Sequence, residues 1–260
     1  MGSIERQAWS AFPMAVAAYA TGDFDGVLRE VEFGVALFAR GGDVRGSIFP
    51  RLARVRVLCD LGRVEEARPE AVQVHADAEQ LGQPLLRTLG REALARVRMA
   101  DGDAAGAAAL GAECEGWYAG TDNRIGLTVL TPWYADACMA AGQLDEAARA
   151  CALGIPLCRE VNARESLTRL LRTQADLRVT RGAAAETDFS EALALAEKLE
   201  MRPEQARILA ARAAWRRAKG DAAAIADEER AIELFEACGM KPAAAKLREA
   251  AKGRAASPSL

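Results

Sequence analysis

A glycine returns every 40 residues along the chain. It stands at Gly22 (YATGDFDGV), Gly62 (CDLGRVEEA), Gly102 (MADGDAAGA), Gly142 (MAAGQLDEA) and Gly182 (VTRGAAAET), and once more, 38 residues on, at Gly220 (RAKGDAAAI). Each follows one stretch of helical apolar periodicity and precedes another, the place where a left-handed glycine ends one helix and lets the next begin. A second column supports the first. Seven residues before the glycines stand Ala15, Val55, Ala95, Ala135, Ala175 and Ala213, and five after the first four stand Val27, Ala67, Ala107 and Ala147. Small residues on both sides of a turn let two antiparallel helices approach closely. In the last two repeats the second column becomes Thr187 and Ile225, which predicts a second helix slipped in register. A period of this length commits a chain to stacking helical hairpins on one another.

Other breakers lie between the hairpins: Gly41-Gly42, Gly82-Gln-Pro84, Gly120-Thr-Asp122, Asn162, Met201-Arg-Pro203 and Gly239-Met-Lys-Pro242. They divide the chain into helices predicted near 4–20, 24–40, 46–61, 64–81, 84–101, 104–119, 123–141, 144–161, 163–181, 185–200, 203–219 and 222–238. A last helix near 242–252 carries Leu247 and alanines on one side and charges on the other, as a cap that solvates the end of a stack would. The expectation is an all-α fold of six hairpins plus that cap, one domain over 1–252, with a flexible tail over 253–260. Composition agrees: 51% of residues are hydrophobic but only 5% aromatic, so the core is built from small side chains and good helix formers.

The turn G-[DQR]-x-x-[EG]-A, the small residue seven before it, and strings such as FSEALALAEKLEMRPEQARILAARA and RAIELFEACGMKPAAAKL resemble tetratricopeptide (TPR) repeats. The likeness covers nearly the whole chain and is nearest to the long-period TPR arrays of bacterial signalling ATPases and transcription activators. No GxxxxGK[ST] of their ATPase modules is present. HEAT and armadillo repeats, with similar periods, are the alternative. The resemblance implies a right-handed α-solenoid whose concave groove, lined by the first helix of each hairpin, binds a protein or peptide segment.

In the family's register the column six before each turn glycine faces the groove: Val16, Arg56, Arg96, Asp136, Asp176 and Ala214. It predicts a groove basic in its first half and acidic in its second, unless neighbouring repeats pair these charges with each other. The columns ten and thirteen back add Phe12, Leu52, Glu92, Pro132 and Arg172, and Trp9, Phe49, Leu89, Val129, Arg169 and Arg207. Trp9, Phe12 and Phe49 are expected to anchor apolar groups, and the charges from Arg56 to Asp176 to set specificity. Pro132 falls inside a helix, where it removes a backbone hydrogen bond. With Trp133 and Tyr134 beside it, a bent fourth repeat is a candidate pocket, or else a kink whose aromatics fill the core.

Other chemistries have little to work with. Acids and bases interleave to a net charge of -3, which leaves nucleic acid an improbable partner. Six cysteines without a CxxC, and the single histidine His75, offer no metal site. No GxSxG or HExxH is present, and Asp136 with Asp176 is the nearest thing to an acid pair. Arg6 precedes an apolar run ending Ala18-Tyr-Ala20, but Trp9, Pro13 and Tyr19 fall in phase with the repeat, so the run reads as a helix rather than a leader. The only asparagines are Asn123 and Asn162 and no lysine precedes Lys198, so the asparagine and lysine clamp of chaperone-tail-binding TPR domains is missing. The sequence therefore predicts a cytoplasmic, non-enzymatic binding scaffold without cofactor or metal. A small-molecule sensor around Pro132, Trp133 and Tyr134 is second, and an anion- or nucleic-acid-binding array third.

Overall fold

The computed structural model describes residue 14 and residues 17–255, and every regular element among them is a helix. After α1, described over 17–21, come α2 (Phe24–Gly41), α3 (Val44–Asp60), α4 (Val64–Leu81), α5 (Pro84–Ala100), α6 (Ala104–Tyr118), α7 (Arg124–Ala140), α8 (Leu144–Glu160), α9 (Arg164–Thr180), α10 (Glu186–Lys198), α11 (Arg202–Ala218), α12 (Ala223–Ala237) and α13 (Lys241–Ala255). From α2 to α12 the boundaries fall within two residues of those read from the sequence. The last helix continues to Ala255, so residues 253–255 are helical and not part of a tail.

Backbone geometry explains the comb. All six turn glycines have φ between +71° and +85°, a region where a Cβ would clash with its own backbone. The breaks between hairpins use the same device at Gly42, Gly82, Gly120 and Gly239, and with a side chain at Asn162 and Glu200. Glu200, and not the Met201-Arg-Pro203 stretch, is the left-handed residue of its turn. A local signal overlooked in the sequence sits just after four turns. Asp23, Asp43, Asp103 and Asn123 each cap a helix by accepting a bond from the backbone N–H of a glycine three residues on, at 2.8–2.9 Å.

The small columns form the seams within hairpins. Val55, Ala95, Ala135, Ala175 and Ala213 are buried, as are Val27, Ala67, Ala107 and Ala147. In the last two hairpins Thr187 and Ile225 are exposed and burial passes to Ala185 and Ala224.

The first helices pack side by side, α3 with α5, α5 with α7, α7 with α9 and α9 with α11, and no comparable contact joins α4, α6, α8, α10 and α12 to one another. An inner row set closer than the outer row curves the array toward the inner row. The curvature is enough to bring the two ends together. One apolar cluster contains Tyr19, Phe24, Val27, Val31 and Val57 from the beginning and Ala206, Leu234, Phe235, Met240 and Ala244 from the end. Along this closure Pro242 lies against Gly62 and the Cys238 thiol against Gly22, where any Cβ would collide with them. The last helix keeps Lys246, Arg248 and Glu249 exposed, as a cap would. Its apolar side, with Ala244 buried and Leu247 packed on the cluster, seals the end of the array against its start.

Candidate functional site on the inner face

The inner helices place most of the expected groove residues in one layer, and there the charges close on each other. Arg56 grips Glu92 with two parallel bonds of 2.9 and 2.7 Å, and Arg96, one turn along α5, donates a third at 3.1 Å. Arg172 holds three carboxylates: Glu204 at 2.6 Å, Asp136 at 2.8 Å and Asp176 at 3.5 Å. Thr173 also donates to Asp136. Arg207 connects this group to the array's beginning, reaching Glu204 at 3.3 Å and Asp60 at 2.6 Å, while the Tyr19 hydroxyl donates to Asp60 at 2.8 Å. Arg56 and Arg172 thus pair across neighbouring hairpins, as the structural reading of the sequence allowed. Arg96 turns to Glu92 on its own helix instead of to Asp136.

Burial makes this layer structural. The Glu92 and Glu204 side chains are 1% and 3% exposed, and ionised groups so placed persist only with partners in contact. Burial works to raise the Glu204 carboxyl, but Arg172, Arg207 and Arg169 outweigh it and hold it down to about 2. Glu92 is held below the ordinary range in the same way by Arg56 and Arg96. Asp176 is the exception: burial, with Asp136 and Glu204 beside it, pushes it up to about 6 despite Arg172. Glu92, Glu204, Asp60 and Tyr19 complete the network and were not among the residues singled out from the sequence, although Glu92 and Arg207 stood in the inward columns. A glutamate standing in an inward column, as Glu92 does, was the available signal.

Cavities flank the layer. On the side of the helix N-termini, Tyr19, Phe49, Leu52, Ala53, Leu85, Leu89, Ile125 and Val129 wall a cavity of about 240 Å³, with Arg56, Glu165 and Arg169 at its polar edge. On the other side a wider hollow of about 650 Å³ is bounded by Asp136, Arg172, Asp176, Met99, Met139 and Trp215. Arg169 differs from the other inner arginines. Its guanidinium lies 5.8 Å over the Tyr19 ring and makes no ion pair among the described residues.

Pro132, Trp133 and Tyr134 do not form a pocket. All three are buried in the core between hairpins. The Tyr134 ring lies on Gly111, where a Cβ would come within 2.2 Å of it, and its hydroxyl donates to Glu146 on α8. Glycine on the facing helix is what admits the ring, so the aromatics fill space that the small column leaves. Trp9 and Phe12 lie outside the described residues. The cysteines form no disulfide among the described residues, and burial pushes the Cys114 and Cys151 thiols up to about 12, far from a reactive thiolate. Among the described residues no group of three or more His, Cys, Asp or Glu is arranged to hold a metal, and no helix is long and apolar enough to cross a membrane.

No family model matches the chain, and no curated protein matches it. Among solved structures the chain is similar to the crystal structure of BtubC (BKLC) from P. vanneervenii, at 17% identity over 100% of this chain and 96% of that chain, with a TM-score of 0.45. So distant a likeness carries no argument about what this chain does.

Proposed function

We propose that the chain is a right-handed array of six TPR-type hairpins acting as a non-enzymatic binding module in the cytoplasm, and that its inner face takes a small ligand or a single protruding group instead of a threaded peptide. The observation that carries this reading is the apolar cavity walled by α1, α3, α5, α7 and α9. Concave, mostly apolar spaces with a few polar groups at one edge are what small ligands occupy. A peptide running the length of the groove would have to displace the ion-pair layer, in which Glu92 and Glu204 are buried and need their arginines. The wider hollow supports a second reading, a protein segment docked at the mouth lined by Met99, Met139, Asp176 and Trp215.

The two readings separate in one experiment. A thermal-shift screen of small molecules is run on the wild type, on Val129→Phe, which fills the apolar cavity, and on Met139→Phe, which narrows the hollow. Ligands that raise Tm in the wild type and in Met139→Phe, but not in Val129→Phe, support the first reading. If every stabilising ligand survives Val129→Phe, the cavity is not the site.

A further inference from the structure

We propose that the ligand of the apolar cavity is a carboxylate on a medium-length apolar body, with its head on Arg169 and its tail among Phe49, Leu52, Leu89 and Val129. This rests on the reading of the cavity as the binding site and adds the chemistry of what enters it.

The head group follows from the distribution of charge. Five arginines, Arg56, Arg96, Arg169, Arg172 and Arg207, point into the inner face, and four of them are tied to Asp60, Glu92, Asp136, Asp176 or Glu204. Arg56 also borders the cavity, but its Nε and one terminal nitrogen are already bonded to Glu92. Arg169 is half-buried, lies over the Tyr19 ring and makes no contact ion pair among the described residues, acting on Glu204 and Glu92 only from a distance. A guanidinium there keeps its planar fork of donors for an incoming carboxylate, which such a fork meets with two parallel bonds. Glu165, one turn earlier on α9, edges the same cavity but is exposed and forms no ion pair with Arg169. It therefore leaves the arginine available, and it disfavours a multiply charged head group such as a phosphate, for which one cation is also too few.

The body follows from the walls. Apart from Arg56, Glu165 and Arg169 the lining consists of aliphatic and aromatic side chains from α1, α3, α5 and α7. A space of about 240 Å³ is smaller than the pockets of about 300–1,000 Å³ that take drug-sized ligands, and so suits a short apolar body. An eight-carbon acid, with its carboxylate at the arginine, is a body of that class.

The test uses octanoate, octanol and octylamine as probes, with affinity read by calorimetry and by Tm against the purified chain. Octanoate is expected to bind most tightly. Arg169→Gln should weaken octanoate by about 10- to 100-fold, the range of a lost charge-assisted hydrogen bond, and leave octanol unchanged. Ile125→Trp, placed at a position 67% exposed and so tolerant of replacement, should weaken all probes by blocking the entrance. If octanol or octylamine binds as well as octanoate, or if Arg169→Gln leaves octanoate unaffected, the carboxylate assignment is wrong while the cavity reading stands. If no probe binds the wild type, both fail.

Discussion

Arg169 and Arg172 stand three residues apart on α9, and their surroundings are opposite. Arg172 is enclosed by Asp136, Asp176 and Glu204, whereas Arg169 edges an apolar cavity over the Tyr19 ring and makes no contact ion pair among the described residues. Both were candidates for the groove on the same columnar logic. What separates them is the helix that arrives opposite. The ends of α11 and α3 bring Glu204, Arg207 and Asp60 to the level of Arg172, and the N-terminal halves of α3, α5 and α7 bring aliphatic side chains to the level of Arg169. A charge in a repeat array becomes structural when curvature delivers a partner to it, and stays available when it does not.

The largest effect is expected from breaking the structural side. Glu204→Gln leaves Arg172 and Arg207 short of a buried counter-charge and should cost about 3–5 kcal/mol in urea unfolding. Arg169→Gln should cost at most about 1 kcal/mol, because it breaks no contact ion pair among the described residues and removes only a longer-range attraction to Glu204 and Glu92. Equal losses from the two would erase the distinction between the two arginines.

Asp60→Asn tests the closure that supplies the partners. Asp60 receives both Arg207 and the Tyr19 hydroxyl, so its neutralisation should cost about 1–3 kcal/mol. The loss should be accompanied by faster amide exchange in α13 than in α7, since local opening begins where contacts are fewest. Uniform acceleration along the chain would mean that the closing contacts do not form a separate unit.

The remaining effect has the opposite sign. The Asp176 carboxyl is raised from 3.8 to about 6 in the folded chain, so the native state binds the extra proton between those values. Stability from this group therefore falls as pH rises from about 4 to 6, and the penalty is complete above 6. Asp176→Asn should raise Tm at pH 7.5, and the gain should shrink to nothing near pH 4. A gain of equal size at both pH values would assign it to packing and not to charge.

Much of this fold was legible in the sequence because its information is local. A left-handed turn needs a glycine at that residue, and close packing of two helices needs small side chains a fixed number of positions from it. Helix boundaries, hairpin pairing and the register slip marked by Thr187 and Ile225 all follow from such short-range requirements. The inner column came from the register that the TPR resemblance implies, and Arg56, Arg96, Asp136, Asp176, Arg169 and Arg172 stand on the helices of the inner row. Their roles were not legible. Whether Trp133 and Tyr134 form a pocket or fill the core was left open by the sequence, because the glycine that admits the Tyr134 ring, Gly111, lies on another helix.

Closure was the part that only the folded chain could decide. Arg207 and Asp60 are 147 residues apart, and whether they meet depends on a small rotation at each hairpin summed along the array. A period read from sequence states how often the turn recurs and leaves that rotation open, because it is set by how each pair of inner helices packs. The repeat thus specified the units and their seams, and the accumulated curvature chose which charges are paired in the interior and which one is left facing the cavity.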